Sequence, residues 1–200
     1  MRKLYFLLAG LGIGAVIGCS APPQGVLIDS FEGDINARTV DYGAGQGSSL
    51  KVEADKSLKV CGSQSLKLDY DLKPSSYMWI ARGYNLDVAG AAKWLVKPSE
   101  VAWEKYNAIS IYMYGGNSDA VIAFDIKDAQ GEFWRFIIDD DFGGWKEIIC
   151  PFSQFFVRGD WQPESATRNE VLDFPIMSFQ FEPRMPGEGR CNFDCVKVVK

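Results

Sequence analysis

Histidine is absent from the 200-residue chain. That removes Ser-His-Asp and Cys-His catalysis and the commonest transition-metal ligand. A Lys/Arg cluster is also missing, and the formal net charge is -5. Phosphate backbones need a basic face, so the acidic balance argues against nucleic acid. None of the cysteines has Cys-x-x-Cys spacing, so zinc has support from their count alone. No internal repeat, low-complexity stretch or second shift of composition divides the chain. Helical periodicity is scarce. Carboxylate pairs, oxygen-ligated calcium and aromatic side chains are left to carry chemistry.

The first stretch, MRKLYFLLAGLGIGAVIGC, reads as an export signal. Arg2 and Lys3 form a positive start, and Leu4 to Ile17 form an apolar run too short to span a bilayer comfortably. Val16-Ile17-Gly18-Cys19 resembles a lipobox, with Gly18 small enough for peptidase approach and Cys19 placed to carry the lipid. The expected organisation is a lipoprotein signal peptide over 1–18, a Pro-rich tether over 19–25 and one domain over 26–200. Acyl chains would hold the protein to a membrane at roughly 0.8 kcal/mol per buried methylene. Ser20, not Asp, follows the cysteine, which favours the outer membrane within an extracytoplasmic cell-envelope location.

Export permits disulfides. Cys61, Cys150, Cys191 and Cys195 allow three pairings. Cys191 and Cys195 would lie roughly 13 Å apart in an extended strand, beyond the reach of a bridge. One bridge with two buried thiols, or two bridges, remain.

Period-two alternation dominates the rest. Strands are expected at Gly25–Phe31, Ser49–Ala54, Ser65–Leu72, Ser76–Ala81, Ile109–Tyr114, Val121–Lys127, Glu132–Ile138, Lys146–Phe152, Met177–Glu182 and Asn192–Val199. Asp41–Ser49 reads as glycine-rich loop, and residues 85–107 as a short helical or irregular insertion. Regular short strands with Gly, Asp and Asn turns make the chain an all-β sandwich or barrel. Asp139, Asp140 and Asp141 are expected as solvated carboxylates at a strand end.

The same alternation sorts faces. Met78 and Ile80, Ile109, Ile111 and Met113, Ile122, Phe124 and Ile126, Trp134, Phe136 and Ile138, and Phe179 and Phe181 are expected inside. Tyr77, Trp79, Tyr112, Tyr114, Asp125, Arg135, Gln180 and Glu182 are then turned outward. Sugar C–H faces stack on aromatic rings, and hydroxyls pair with carboxylate, guanidinium and amide groups. These eight are the candidate carbohydrate-binding residues, with Arg135 beside Asp125 and near Trp79 and Tyr112. Ordinary cross-strand aromatics and solvated charges are the bland alternative.

Five stretches in order resemble one family. Leu27-Ile28-Asp29-Ser30-Phe31-Glu32 resembles the opening "IDDFE" of family 11 carbohydrate-binding modules. Cys61-Gly62-Ser63-Gln64-Ser65-Leu66-Lys67 resembles their "G-x-x-SLK". Trp103 to Ser110 is similar to the "W-x-x-Y" entry to a central strand. Gly144 to Phe152 is similar to "GW-x-x-(V/I)-x-(I/V)-PF", and Asn192-Phe193-Asp194-Cys195-Val196 to the closing "(F/I)-D-D-I". The resemblance covers nearly the whole mature chain and implies a galactose-binding-like jelly-roll β-sandwich, shared with the complex I intermediate-associated proteins. Ser30 and Cys195 each replace an aspartate of the pattern.

The resemblance also implies structural calcium where the first and last strands meet. Glu32 and Asp194 would be its side-chain ligands, with carbonyls from the loop near Gly62–Ser65. Calcium takes roughly six to eight oxygens. The expected activity is non-catalytic binding of a polysaccharide or oligosaccharide. One rival is an envelope scaffold that docks a protein partner through a flat apolar face. The other is a hydrolase or lyase using Asp125 and Glu182, since glycoside hydrolysis needs two carboxyls roughly 5–9.5 Å apart.

Overall fold

A computed structural model describes residues 25–200. The expected signal segment 1–18, the expected lipidation site Cys19 and the expected tether up to residue 24 lie outside the described residues. In chain order the strands are β1 (Val26–Asp29), β2 (Asp41–Ala44), β3 (Ser49–Asp55), β4 (Ser65–Leu72), β5 (Met78–Gly83) and β6 (Ala108–Gly116). They continue as β7 (Val121–Lys127), β8 (Phe133–Asp139), β9 (Gly143–Pro151), β10 (Phe156–Val157), β11 (Ser178–Pro183) and β12 (Gly187–Val199). Among the described residues the helical elements are short 3-10 turns. Three of them, at 89–91, 98–100 and 103–105, lie in the stretch expected to be irregular.

The strands form two antiparallel sheets of six. The first has the order β3-β4-β12-β6-β9, with β1 also paired to β12. The second has the order β10-β8-β7-β11-β5-β2. Together they make an all-β jelly-roll sandwich. Every expected inward residue lies where the alternation put it. Ile109, Ile111 and Met113 from the first sheet meet Ile122, Phe124, Ile126, Phe179 and Phe181 from the second. Phe181 and Phe193 stack across the core at 3.8 Å. Trp134 is 8% exposed, and its indole N–H donates to Asp128 Oδ2 at 3.2 Å.

Two strands were not expected. β2 lies in the glycine-rich loop, and β10 has only two residues. The three aspartates also differ from expectation. Asp139 and Asp141 are exposed, but Asp140 is buried. Its carboxylate accepts N–H bonds from Gly116, Asn117 and Ser118. Where β6 ends, this one carboxylate gathers the backbone donors, which is why it is buried.

One ion pair stitches the sheets together. Asp29 ends β1 in the first sheet, and Arg82 points inward from β5 in the second. Arg82 Nε donates to Asp29 Oδ2 and Nη2 to Oδ1, both at 3.0 Å. Both residues are 1% exposed. Such a pair fixes the relative placement of its two elements, because separating it leaves buried charge unmatched.

Candidate functional site

The outer face of the second sheet carries a straight row of residues. Asp41 pairs with Ala81, Ala81 with Gln180, Gln180 with Asp125, Asp125 with Arg135, and Arg135 with Phe156. The row crosses all six strands. Glu182 and Trp79 lie on the same face, two residues along β11 and β5 from Gln180 and Ala81.

Asp125 and Arg135 form the expected pair. Arg135 Nε and Nη2 each donate to one Asp125 oxygen at 2.7 Å. The network extends beyond them. Arg135 Nη2 reaches Glu182 Oε2 at 2.8 Å. Arg158 Nη1 reaches Glu182 Oε1 at 2.7 Å and Asp125 Oδ2 at 3.2 Å. Arg158 Nε holds Asp160 Oδ1 at 2.8 Å. Arg184 spans Glu182 at 2.8 Å and Asp160 at 3.0 Å. Gln180 Nε2 donates to Glu182 Oε1 at 2.6 Å. Arg135, Arg158 and Arg184 thus balance Asp125, Asp160 and Glu182.

The network has two levels. Asp125, Arg135, Gln180 and Glu182 are buried and form its floor. Asp160 and Arg184 are the accessible level, their side chains 41% and 34% exposed. Burial pushes the Asp125 carboxyl above its ordinary value, and Arg135 and Arg158 oppose that push. Burial acts the same way on Asp160, but there the Arg158 hydrogen bond and the charges of Arg158, Arg135 and Arg184 prevail. They hold its carboxyl at about 2.

Aromatic rings flank the charges. Tyr77 and Trp79 stack at 6.0 Å with 20° between their planes, and Tyr77 is 57% exposed. Gly43 in β2 and Gly45 just after it make room for them. A Cβ at Gly43 would collide with the Trp79 indole, and one at Gly45 with the Tyr77 ring. Trp79 Nε1 donates to Asp41 Oδ1 at 3.2 Å, which fixes its ring. On the far side, Trp161 is 53% exposed and packs under the Arg158 guanidinium at 5.4 Å. β5 and β8 are three strand spacings apart, about 14 Å.

Tyr112 and Tyr114 do not belong to this face. Both lie on β6, in the first sheet, where they pair with Glu147 and Trp145 of β9. Tyr112 Oη donates to Glu147, and the Lys197 ammonium sits 5.6 Å from its ring centre. Alternation shows which side of a strand a residue occupies, but β6 and β7 enter opposite sheets, so their outward sides face opposite ways. Arg158, Asp160, Trp161 and Arg184 escaped the sequence reading because they follow strand ends, where no period marks them. The run Arg158-Gly159-Asp160-Trp161 offered only composition as a signal.

The expected calcium ligands lie at the junction of β1, β12 and the loop before β4. Glu32 accepts N–H bonds from Ser63 at 2.7 Å and Gln64 at 3.3 Å, and the Ser63 hydroxyl. Asp194 Oδ2 accepts from Val60 and Cys61 at 2.7 and 2.9 Å, and Oδ1 from Cys195 at 2.7 Å. The loop therefore turns N–H groups, not carbonyls, toward both carboxylates. A cation there would face the positive ends of those donors. Cys61 and Cys195 beside Asp194 are joined in a disulfide, which removes both sulfurs as thiolate ligands. The residues present do not fit calcium as the resemblance implies it.

The sequence profile of the carbohydrate binding domain (family 11) matches residues 18–200. The chain belongs to this family. As a family 11 carbohydrate-binding domain it shares its fold with solved relatives. It is 22% identical to the family 11 module from Clostridium thermocellum in complex with a β-1,3-1,4-mixed-linked tetrasaccharide. That alignment has a TM-score of 0.66 and covers 90% of this chain and 97% of that one. The family 30 module of the Clostridium thermocellum cellulosomal cellulase is 13% identical, with a TM-score of 0.55 over 88% of this chain and 97% of that one. A β-1,2-glucanase from Parabacteroides distasonis is 12% identical, with a TM-score of 0.54 over 88% of this chain but 25% of the enzyme. No curated protein matches the chain.

Proposed function

We propose that this domain binds an oligosaccharide or polysaccharide on the outer face of its second sheet, without catalysis. The observation that carries this reading is the charged row flanked by exposed aromatic rings. Tyr77, Trp79 and Trp161 supply stacking surfaces. Asp160 and Arg184 meet the sugar hydroxyls, and the buried Asp125, Arg135, Gln180 and Glu182 hold those two in place. Fixing planar groups before the ligand arrives lowers the ordering cost of binding. The tetrasaccharide held by the Clostridium thermocellum family 11 module supports the same ligand class here.

The pairing of the two candidate carboxylates supports binding without bond cleavage. Both oxygens of Asp125 and of Glu182 already accept guanidinium hydrogen bonds. A catalytic carboxylate needs an oxygen free to reach the glycosidic bond or a water, and here Arg135, Arg158 and Gln180 already occupy the oxygens of both acids. The lipobox at Val16–Cys19 supports a lipid-anchored protein of the cell envelope. Charge along the row disfavours the rival apolar docking face.

A glycan panel tests the reading. The purified protein should retain at least one glycan, and Trp79→Ala should weaken binding by about 1–3 kcal/mol, as loss of an aromatic anchor does. Shortened glycan products from the wild-type protein would sink the non-catalytic reading.

A further inference from the structure

Only one disulfide is formed among the described residues, and it sits where the resemblance puts calcium. Cys195 occupies the position of the closing motif where an aspartate is expected. In its place a neutral sulfur reaches the loop before β4. The bridge joins Cys61 and Cys195 across 134 residues, with Cα atoms 5.7 Å apart. The carboxylates left at the junction already have hydrogen-bond donors. Glu32 and Asp194 together accept five backbone N–H bonds and one hydroxyl bond. Asp194 and Cys195 are both fully buried. The hydrogen bonds that Asp194 accepts all come from N–H donors, whereas a hard cation demands many oxygens. Gly62 lies flush against the Glu32 carboxylate, where a Cβ would collide with it.

We propose that the Cys61–Cys195 disulfide replaces a metal ion as the clamp between the last strand and the loop before β4. The domain is closed by oxidation, and its stability is independent of calcium. Closure is a thiol–disulfide exchange. One thiolate attacks a small-molecule or protein disulfide, releasing one thiol. The second thiolate then attacks the mixed disulfide and releases the other. The two cysteines lose two electrons and two protons, and the reagent disulfide gains them as two thiols. The remaining described cysteines do not compete. Cys150 and Cys191 are free and buried, and burial pushes both thiols up, so neither supplies thiolate readily.

The test uses the full chain, prepared in air and melted under circular dichroism. Calcium chloride, a calcium chelator and a phosphine reductant are added in separate samples. The expected result is a midpoint unchanged by calcium or chelator and lowered by reductant, by roughly 10–20 °C for a bridge closing so long a loop in a domain of this size. The double variant Cys61→Ser, Cys195→Ser should melt at the reduced midpoint and ignore the reductant. Alkylation with mass spectrometry, before and after reduction, reports which thiols are free. The proposal is overturned if calcium raises the midpoint of the oxidised protein and chelator reverses it. It is equally overturned if Cys61 and Cys195 alkylate without reductant, or if reduction or the double variant leaves the midpoint unchanged.

Discussion

Replacing Arg135 with methionine would show what the charged row contributes. The arginine side chain is 7% exposed, and its partners Asp125 and Glu182 are 0% and 4% exposed. Methionine keeps much of the stem volume and removes the charge, so Asp125 loses its bidentate partner at 2.7 Å. Breaking a buried pair by removing one member costs about 3–5 kcal/mol, because the survivor stays charged and unpaired. Here Arg158 still touches both acids, so the lower end, about 3 kcal/mol, is expected. For a domain of this size that is a fall of about 6–12 °C in midpoint. Thermal and urea unfolding give the number. A cycle with Asp125→Leu separates the terms: the double variant should recover much of the loss, since no carboxylate is left unmatched. An Arg135→Met protein as stable as wild type, or a double variant as unstable as the sum of its parts, would refute the buried-pair reasoning.

Three further outcomes are expected. Trp134→Ala should lower stability by about 3–5 kcal/mol, the usual cost of a large cavity, measured by urea unfolding. Asp160 is held at about 2, below the ordinary 3.8, so its contribution is present above the ordinary value and lost as pH falls toward about 2. An acid titration of Asp160→Asn should accordingly show a shallower loss of stability across that window than wild type. Cys19→Ala should abolish incorporation of labelled fatty acid in cells, and label persisting in the variant would remove the anchor from the reading.

The strands were legible because their apolar residues alternate against a single core. β7 runs over the residues that the alternation marked, and Ile122, Phe124 and Ile126 all point inward. β2 was hidden because Asp41-Tyr42-Gly43-Ala44 has no alternation to show, and its glycine is present for the Trp79 ring above it. Part of the candidate site was legible in the same way. Trp79, Asp125, Arg135, Gln180 and Glu182 share one face, as their strand positions require. Tyr112 and Tyr114 were misassigned because both sheets have an outer side and the sequence marks them alike. The accessible charges Asp160 and Arg184 come from strand ends, where geometry depends on contacts with distant residues and local pattern is silent.

The Asp29–Arg82 pair has a mechanical consequence. If the proposed tether and glycan site both hold, a load applied ahead of Val26 would enter β1, and a polymer held at Trp79 would load β5. Tension between the two would cross from one sheet to the other, and Asp29 and Arg82 form an ionic crossing, with Arg82 three residues along the same strand from Trp79. That link is a direct two-bond ionic connection between β1 and β5. Stretching the domain between its N-terminal side and a surface-bound glycan should find its first yield point at that link, and Arg82→Met should lower the rupture force without changing which sugar is held.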